Sequence, residues 1–154
     1  MKKSLLALLS ASVAFGATVD QNTTIQATAD TGCSISNSPS LSISWSGLAD
    51  ATGNFTLQVL CTSGTPYTVS IDNGQNADST SRRAKDTSNN YVRYRLYWDS
   101  GYTQEIGLTT GNTQSGTGSG STQNINVYAK VLAGENQTAP QGTYTDTLTI
   151  TITW

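Results

Sequence analysis

The side chains that most often carry out chemistry in enzymes are scarce in this chain. It contains no histidine, which excludes a Ser-His-Asp or Cys-His nucleophile and any histidine-ligated metal. The acidic residues are scattered, mostly in turn-like segments, and nothing favours a glycosidase-like carboxylate pair. Asp146 differs because it interrupts an apolar strand face, where we expect it to accept backbone hydrogen bonds or to lie at the rim of the fold. We therefore predict no catalytic residues, no cofactor and no metal, and a protein that is not an enzyme.

The two cysteines, Cys33 and Cys61, are the other residues that could take part in chemistry. In an exported chain they most simply form one disulfide, and the alternative is a pair of free buried thiols. A disulfide that closes a loop of this length would stabilise the fold by roughly 3–4 kcal/mol. The pair therefore indicates an oxidising compartment.

The N-terminus has the pattern of a secretory signal. Lys2 and Lys3 precede an apolar stretch at residues 5–14, and small residues follow. We predict a signal peptide at residues 1–16, cleaved between residues 14 and 17. The apolar stretch is shorter than the roughly 20 residues that span a bilayer, so the mature chain should not insert into a membrane. Cleavage would leave six of the eight basic side chains against ten acidic ones, which disfavours nucleic-acid binding.

The rest of the chain alternates apolar and polar residues with period two, which is the mark of strands that are buried on one face. Turn-rich segments separate these runs, so the pattern predicts an antiparallel β-sandwich. The predicted strands lie at residues 41–45, 55–61, 67–71, 92–98, 125–131 and 143–154. Residues 109–124 are rich in glycine and hydroxyl side chains, and we predict a mobile surface loop there.

Two groups of residues that contain basic side chains are predicted to lie on the surface. One outward strand face should carry Tyr91, Arg93, Arg95 and Tyr97, either as a contact ribbon with cation–π pairs or as a solvated face. We predict a solvated basic loop at Arg82, Arg83 and Lys85.

A surplus strand precedes the first cysteine. From residue 19 to residue 29 the even positions are all polar, and the odd positions include Val19 and Ile25. Thr31 and Gly32 lead directly into Cys33, and two residues of slack span about 7 Å. That reach is too short to fill a gap beside the last predicted strand, which no further strand follows in this sequence. We therefore expect the surplus strand to serve another molecule.

Several landmarks together resemble the spore coat U domain family, which includes subunits of archaic chaperone–usher pili. The most specific are CTSGTPYTVS at residues 61–70 and GTYTDT at residues 142–147. Supporting matches are GC at 32–33, DNG at 72–74, YRLY at 94–97 and VY at 127–128. The resemblance covers nearly all of the chain after the signal, in order.

The resemblance implies an all-β, incomplete immunoglobulin-like β-sandwich at residues 31–154 that lacks its last strand. A donor strand from a neighbouring subunit would complete it, and residues 17–30 would be the donor extension of this chain. The implied donor residues are Val19, Gln21, Thr23, Ile25 and Ala27. The implied acceptor groove consists of Leu148, Ile150, Ile152 and Trp154.

The implied function is that of a structural subunit of a bacterial surface pilus, which polymerises head-to-tail and supports adhesion and biofilm formation. Its partners would be identical or related pilus subunits, a periplasmic chaperone and an outer-membrane usher, and it would pass through the periplasm to the cell surface. The alternative is a self-contained secreted coat or lectin-like carbohydrate-binding β-sandwich in which residues 19–29 pair within their own chain.

Overall fold

The computed structural model describes residues 9–15, 32–37, 41–43, 45–108 and 112–154. Apart from a 3-10 helical turn at Ala133–Glu135, the regular elements in these ranges are all strands. They are β1 (Leu9–Phe15), β2 (Cys33–Ile35), β3 (Leu41–Ile43), β4 (Ala51–Cys61), β5 (Pro66–Ile71), β6 (Arg82–Lys85), β7 (Tyr91–Tyr97), β8 (Gln114–Thr117), β9 (Thr122–Val131) and β10 (Tyr144–Thr153). The all-β prediction is confirmed. No helix in the described ranges is long and apolar enough to cross a membrane.

The strands form two layers joined by β7. One layer has the order β2-β4-β9-β7, with antiparallel pairing throughout. The other has the order β8-β5-β10-β1-β3, where only the β1–β3 pair is parallel. The first half of β7 pairs with β6, which touches β10 at Lys85–Thr145, while the second half pairs with β9. This switch of partner carries the chain from one layer to the other.

The core lies between the two layers and is built by the predicted alternation. In β4, Phe55, Leu57 and Val59 are buried while the residues between them are more exposed. The same pattern places Val127, Ala129 and Val131 of β9 in the core. Residues of β5 and β10 join them in one hydrophobic cluster. The predicted inward faces of these strands are therefore confirmed.

The disulfide between Cys33 and Cys61 is formed, as predicted. It joins β2 to β4 at directly opposed positions in the ladder. The amide of Thr62 also donates a 2.9 Å hydrogen bond to the carbonyl of Gly32. The bridge and this bond fix the point at which the N-terminal extension meets the sandwich.

The prediction of a surface loop over residues 109–124 was wrong at residues 114–117 and 122–124, which lie in strands. Strand β8 pairs with β5, and β9 already begins at Thr122. The glycines permit close packing here: a Cβ on Gly116 would lie 2.4 Å from Cζ of Tyr67, and one on Gly118 would lie 2.2 Å from the carbonyl oxygen of Thr62. Residues 109–111 lie outside the described ranges.

The prediction of a solvated loop at Arg82, Arg83 and Lys85 was also wrong. These residues lie in β6, and Arg82 is only 3% exposed. Its guanidinium donates to backbone carbonyls, including Asp72 at 2.9 Å from Nε and Ile106 from Nη1. Burial lowers the pKa of Arg82, and the ring of carbonyl acceptors replaces part of the lost hydration.

The outward face of β7 carries three of the four predicted residues. Tyr91, Arg93 and Arg95 are exposed or half-exposed, whereas Tyr97 is buried. The guanidinium of Arg83 lies 4.2 Å from the centre of the Tyr91 ring, so the expected cation–π contact comes from the neighbouring strand. Surface pairs of this kind contribute little to stability.

Candidate functional site

The candidate site is the slot between β10 and β3, which is occupied by β1. One edge of β10 pairs with β5 and β6. Along its other edge, β1 runs antiparallel from Leu9, opposite Ile150, to Phe15, opposite Tyr144. The free edge of β1 then pairs in parallel with β3. A single strand therefore bridges the two sides of the slot.

The inward face of β10 is apolar except at one position. Leu148, Ile150 and Ile152 have no exposed surface, and Trp154 packs half-buried against the core. The threonines between them lie on the opposite, more exposed face. The structure thus brings the predicted acceptor residues together along one strand face. Their role as a groove for another subunit stays a prediction.

The predicted donor residues, Val19, Gln21, Thr23, Ile25 and Ala27, lie outside the described ranges. The strand that occupies the slot instead falls within the predicted signal peptide. A strand there was missed, although the sequence carried a signal for it: apolar positions alternate with Ser10 and Ser12 in LSASVAF, and such alternation is typical of strands.

Gly32 lies close to the C-terminal end of β10. A Cβ on Gly32 would lie 2.0 Å from Nε1 of Trp154, so the indole rests directly on this glycine. Ten residues of strand, about 33 Å, separate Trp154 from Tyr144. If residues 19–27 ran antiparallel along β10, Ala27 would approach Tyr144, yet five residues reach at most about 18 Å back to Gly32. Chain length therefore excludes the register in which residues 19–27 run antiparallel along the whole of β10 in their own chain, with Ala27 opposite Tyr144.

Asp146 is buried on the apolar face of β10, where it is the acceptor of four hydrogen bonds. The hydroxyl of Tyr94 donates to Oδ2 at 2.6 Å. The amides of Gln75 and Asn76 donate to Oδ1 at 3.1 and 3.2 Å, and Nδ2 of Asn76 donates at 3.0 Å. The prediction that Asp146 accepts backbone hydrogen bonds is confirmed. These bonds tie the segment after β5 to the strand that borders the slot.

Tyr144 fixes the other end of β10. Its ring is buried, and its hydroxyl donates a 2.6 Å hydrogen bond to the carbonyl of Pro140, four residues upstream. This contact has the form of the tyrosine corner, which in immunoglobulin-like sandwiches lies near the start of the strand before the last. By that correspondence, β1 occupies the place of the final strand.

Burial raises the pKa of Asp146 above its usual range, against the hydrogen bonds that lower it. Between pH 3.8 and the raised value, the folded protein binds a proton that the unfolded chain does not, so this residue adds stability as the pH falls through that window. We expect Asp146→Asn to remove that contribution while keeping an acceptor for the amides. Urea unfolding between about pH 4 and pH 7 should show a smaller gain, or a larger loss, of stability on acidification in the variant. An unchanged pH dependence would contradict this.

No group of three or more potential metal ligands occurs among the residues that the structure describes. Asp146, on the inward face of β10, is engaged in structural hydrogen bonds. The chemistry that the site offers is the addition of a strand, with main-chain hydrogen bonds on two edges and an apolar face between them.

Several solved structures share this fold. A chaperone–tip adhesion subunit complex (CsuC–CsuE) from archaic chaperone–usher pili of Acinetobacter baumannii matches at 22% identity and a TM-score of 0.53, over 67% of this chain but only 34% of that one. The AfaE-3 adhesin of Escherichia coli matches at 14% identity and 0.53, over 99% and 98% of the two chains. An antigen and type I fimbria protein of Burkholderia pseudomallei matches at 15% and 0.52, over 99% and 100%.

No curated protein sequence matches this chain closely enough to count as a relative. A family model, by contrast, does match: the sequence pattern of the Spore Coat Protein U domain covers residues 11–151. That span includes every strand from β2 to β9 and most of β10. The chain therefore belongs to the Spore Coat Protein U domain family.

Proposed function

We propose that this protein is a structural subunit of a bacterial surface pilus, and that it polymerises head-to-tail when residues 19–27 of one copy enter the slot beside β10 of the next. One observation carries the proposal. The slot is filled by residues of the predicted leader, and residues 19–27 cannot run antiparallel along the whole of β10 within their own chain.

Removal of the leader during export would take β1 away. The backbone groups of β10 on that side, from Tyr144 to Ile150, would lose their partners, and the apolar face beneath would be uncovered. An open edge of this kind attracts other strands and aggregates. A donor strand satisfies the backbone groups, and each Val or Ile that it buries contributes roughly 1.5–3 kcal/mol.

The contact is directional, because each copy gives one segment and receives another at a different surface. Such a head-to-tail contact does not close on itself, so it produces a filament. The fold shared with fimbrial and adhesin subunits is consistent with this assembly. We infer that the assembled filament is displayed on the cell surface, where it supports adhesion and biofilm formation.

A subunit with an open slot needs a temporary partner. We infer a periplasmic chaperone and an outer-membrane usher, and the chaperone is supported by the complex of a chaperone with a tip adhesion subunit that shares this fold. The same proposal assigns the protein no enzymatic activity, no nucleic-acid partner and no membrane insertion after leader removal.

The test is to express the chain from residue 17 onward, with and without residues 18–29, and to compare sizes on an SDS gel without heating. We expect a ladder of polymers that disappears when residues 18–29 are deleted. Heated samples serve as the control, because they should collapse to monomer in both cases. A stable monomer with and without the segment would instead support the self-contained secreted sandwich.

A further inference from the structure

We propose that Asn73 is a site of self-modification: the backbone nitrogen of Gly74 attacks the side-chain amide of Asn73, and Asp72 accepts the proton that this nitrogen loses. The side chain becomes acidic and ammonia is released. The change occurs once in each chain, so it is not an enzymatic activity. These three residues belong neither to the donor segment nor to the acceptor groove, so the inference does not depend on the proposed polymerisation.

The local sequence favours the attack. Asn73 is the one asparagine in the sequence that is followed by glycine. A side chain on the following residue would crowd the approach of its backbone nitrogen to the carboxamide, and glycine has no side chain. Asn73 is also exposed to solvent, so water can reach the ring that the attack produces.

The hydrogen on the attacking nitrogen already points at a carboxylate. The amide of Gly74 donates a 3.0 Å hydrogen bond to Oδ1 of Asp72, which is within the reach of about 2.6–3.2 Å that a general base needs. The amide of Thr149 donates to the same oxygen at 2.8 Å, and the amide of Asp72 donates to the carbonyl of Thr149 at 2.9 Å. These two bonds fix Asp72 to β10 and hold its carboxylate at the reacting nitrogen.

The reaction has two steps. In the first, the nitrogen of Gly74 forms a bond to Cγ of Asn73 and gives its proton to Asp72. The bond between Cγ and Nδ2 breaks, Asp72 passes the proton to the departing nitrogen, and ammonia leaves a cyclic succinimide. In the second, solvent water adds to one of the two ring carbonyls and breaks its bond to the nitrogen. Opening at Cγ gives aspartate, whereas opening at the backbone carbonyl gives isoaspartate, in which the main chain passes through Cγ.

The isoaspartate product would disturb the strand that borders the slot. The turn is fixed to β10 on one side by the two bonds of Asp72 and on the other by a 3.2 Å hydrogen bond from the amide of Gln75 to the carbonyl of Thr147. A Cβ on Gly74 would lie 2.1 Å from Oδ2 of Asp146, so the turn has little room to shift. Because the isoaspartate main chain is longer by one atom, we expect it to break some of these bonds.

Asn89 provides a matched internal control. It is exposed in the turn between β6 and β7, and the amide of the next residue, Asn90, donates a 2.7 Å hydrogen bond to Oδ1 of Asp86. A carboxylate is therefore in place there too, but Asn90 carries a side chain where Gly74 has none. We expect Asn73 to react while Asn89 stays unmodified.

The test is to keep the folded chain from residue 17 onward, with its disulfide, in 18O-enriched water at neutral pH and to locate the label by peptide mass spectrometry. Opening of the succinimide by water places an 18O atom in residue 73, which separates reaction in the folded protein from reaction during digestion. Asp72→Asn and Asp72→Ser keep a side-chain oxygen for the two amides but remove the proton acceptor. Asp86→Asn is the matched control, because it removes the carboxylate beside Asn89 instead.

We expect Asn73 to be labelled at equal rates in the wild type and in Asp86→Asn. Both Asp72 variants should react at least roughly tenfold more slowly, since a general base typically contributes about 10²–10⁴-fold. Circular dichroism checks that each variant is folded, and if the Asp72 variants are not, the comparison of Asn73 with Asn89 in the wild type still decides. No label at Asn73, or as much label at Asn89, would overturn the proposal. Equal rates in the wild type and in folded Asp72 variants would overturn the role of Asp72.

Discussion

Replacing Ile25 with Asp should stop filament growth. In the proposed assembly this side chain enters the apolar groove of the next copy, where the variant would lose roughly 1.5–3 kcal/mol of burial and bring an unpaired carboxylate out of water. Size-exclusion chromatography of the chain from residue 17 onward should show monomers in place of polymers. The variant's own slot is unaltered, so it should still bind a wild-type peptide of residues 18–29.

The matched control is Gln26→Asp, which adds the same charge at the neighbouring position. Residue 26 has the opposite phase and would face away from the groove. We expect this variant to polymerise like the wild type. If Ile25→Asp polymerises normally, or if Gln26→Asp is the one that fails, the proposed donor register is wrong.

Gly74→Ala should destabilise the fold strongly. Gly74 has a φ of +80°, and a Cβ there would lie 2.1 Å from Oδ2 of Asp146. The left-handed conformation alone costs an L residue roughly 1–2 kcal/mol. The displaced carboxylate would also lose its bond from the hydroxyl of Tyr94, and bonds to charged groups contribute about 1.5–3 kcal/mol. We expect urea unfolding to report a total loss of about 2.5–5 kcal/mol.

Gly64→Ala separates the two causes. Gly64 also has a φ of +80°, but nothing lies within 4 Å of its Cβ position. This control should therefore lose only the backbone contribution of roughly 1–2 kcal/mol. Equal losses in the two variants would show that the contact with Asp146 has no energetic weight.

The main strands were predictable because their alternation is local. Leu57 and Val59 of β4, like Leu148 and Ile150 of β10, are separated by polar residues and fully buried. Period two in the sequence is enough to place such residues on one face. The disulfide followed from the cysteine count and the predicted export.

The strands that escaped prediction depend on distant partners. Gly116 was predicted to lie in a flexible loop, because the sequence alone does not show that the ring of Tyr67 packs against it. Arg82 was predicted to be solvent-exposed because the sequence does not show its hydrogen-bond acceptors. These are the backbone carbonyls of Asp72, Ile106 and their neighbours, and only the fold brings them together. Strand β1 was read as a leader, a function that does not preclude pairing with β10.

The most direct measurement determines whether the residue 25 that lies beside β10 belongs to the same chain or to another copy. Chains that start at residue 17 and carry a photo-crosslinking amino acid at position 25 would be labelled with 15N, mixed with unlabelled wild-type chains, refolded and irradiated. We predict cross-links that join a labelled residue 25 to residues 144–153 of an unlabelled chain. Cross-links within single chains only, or to surfaces away from β10, would contradict strand exchange between copies.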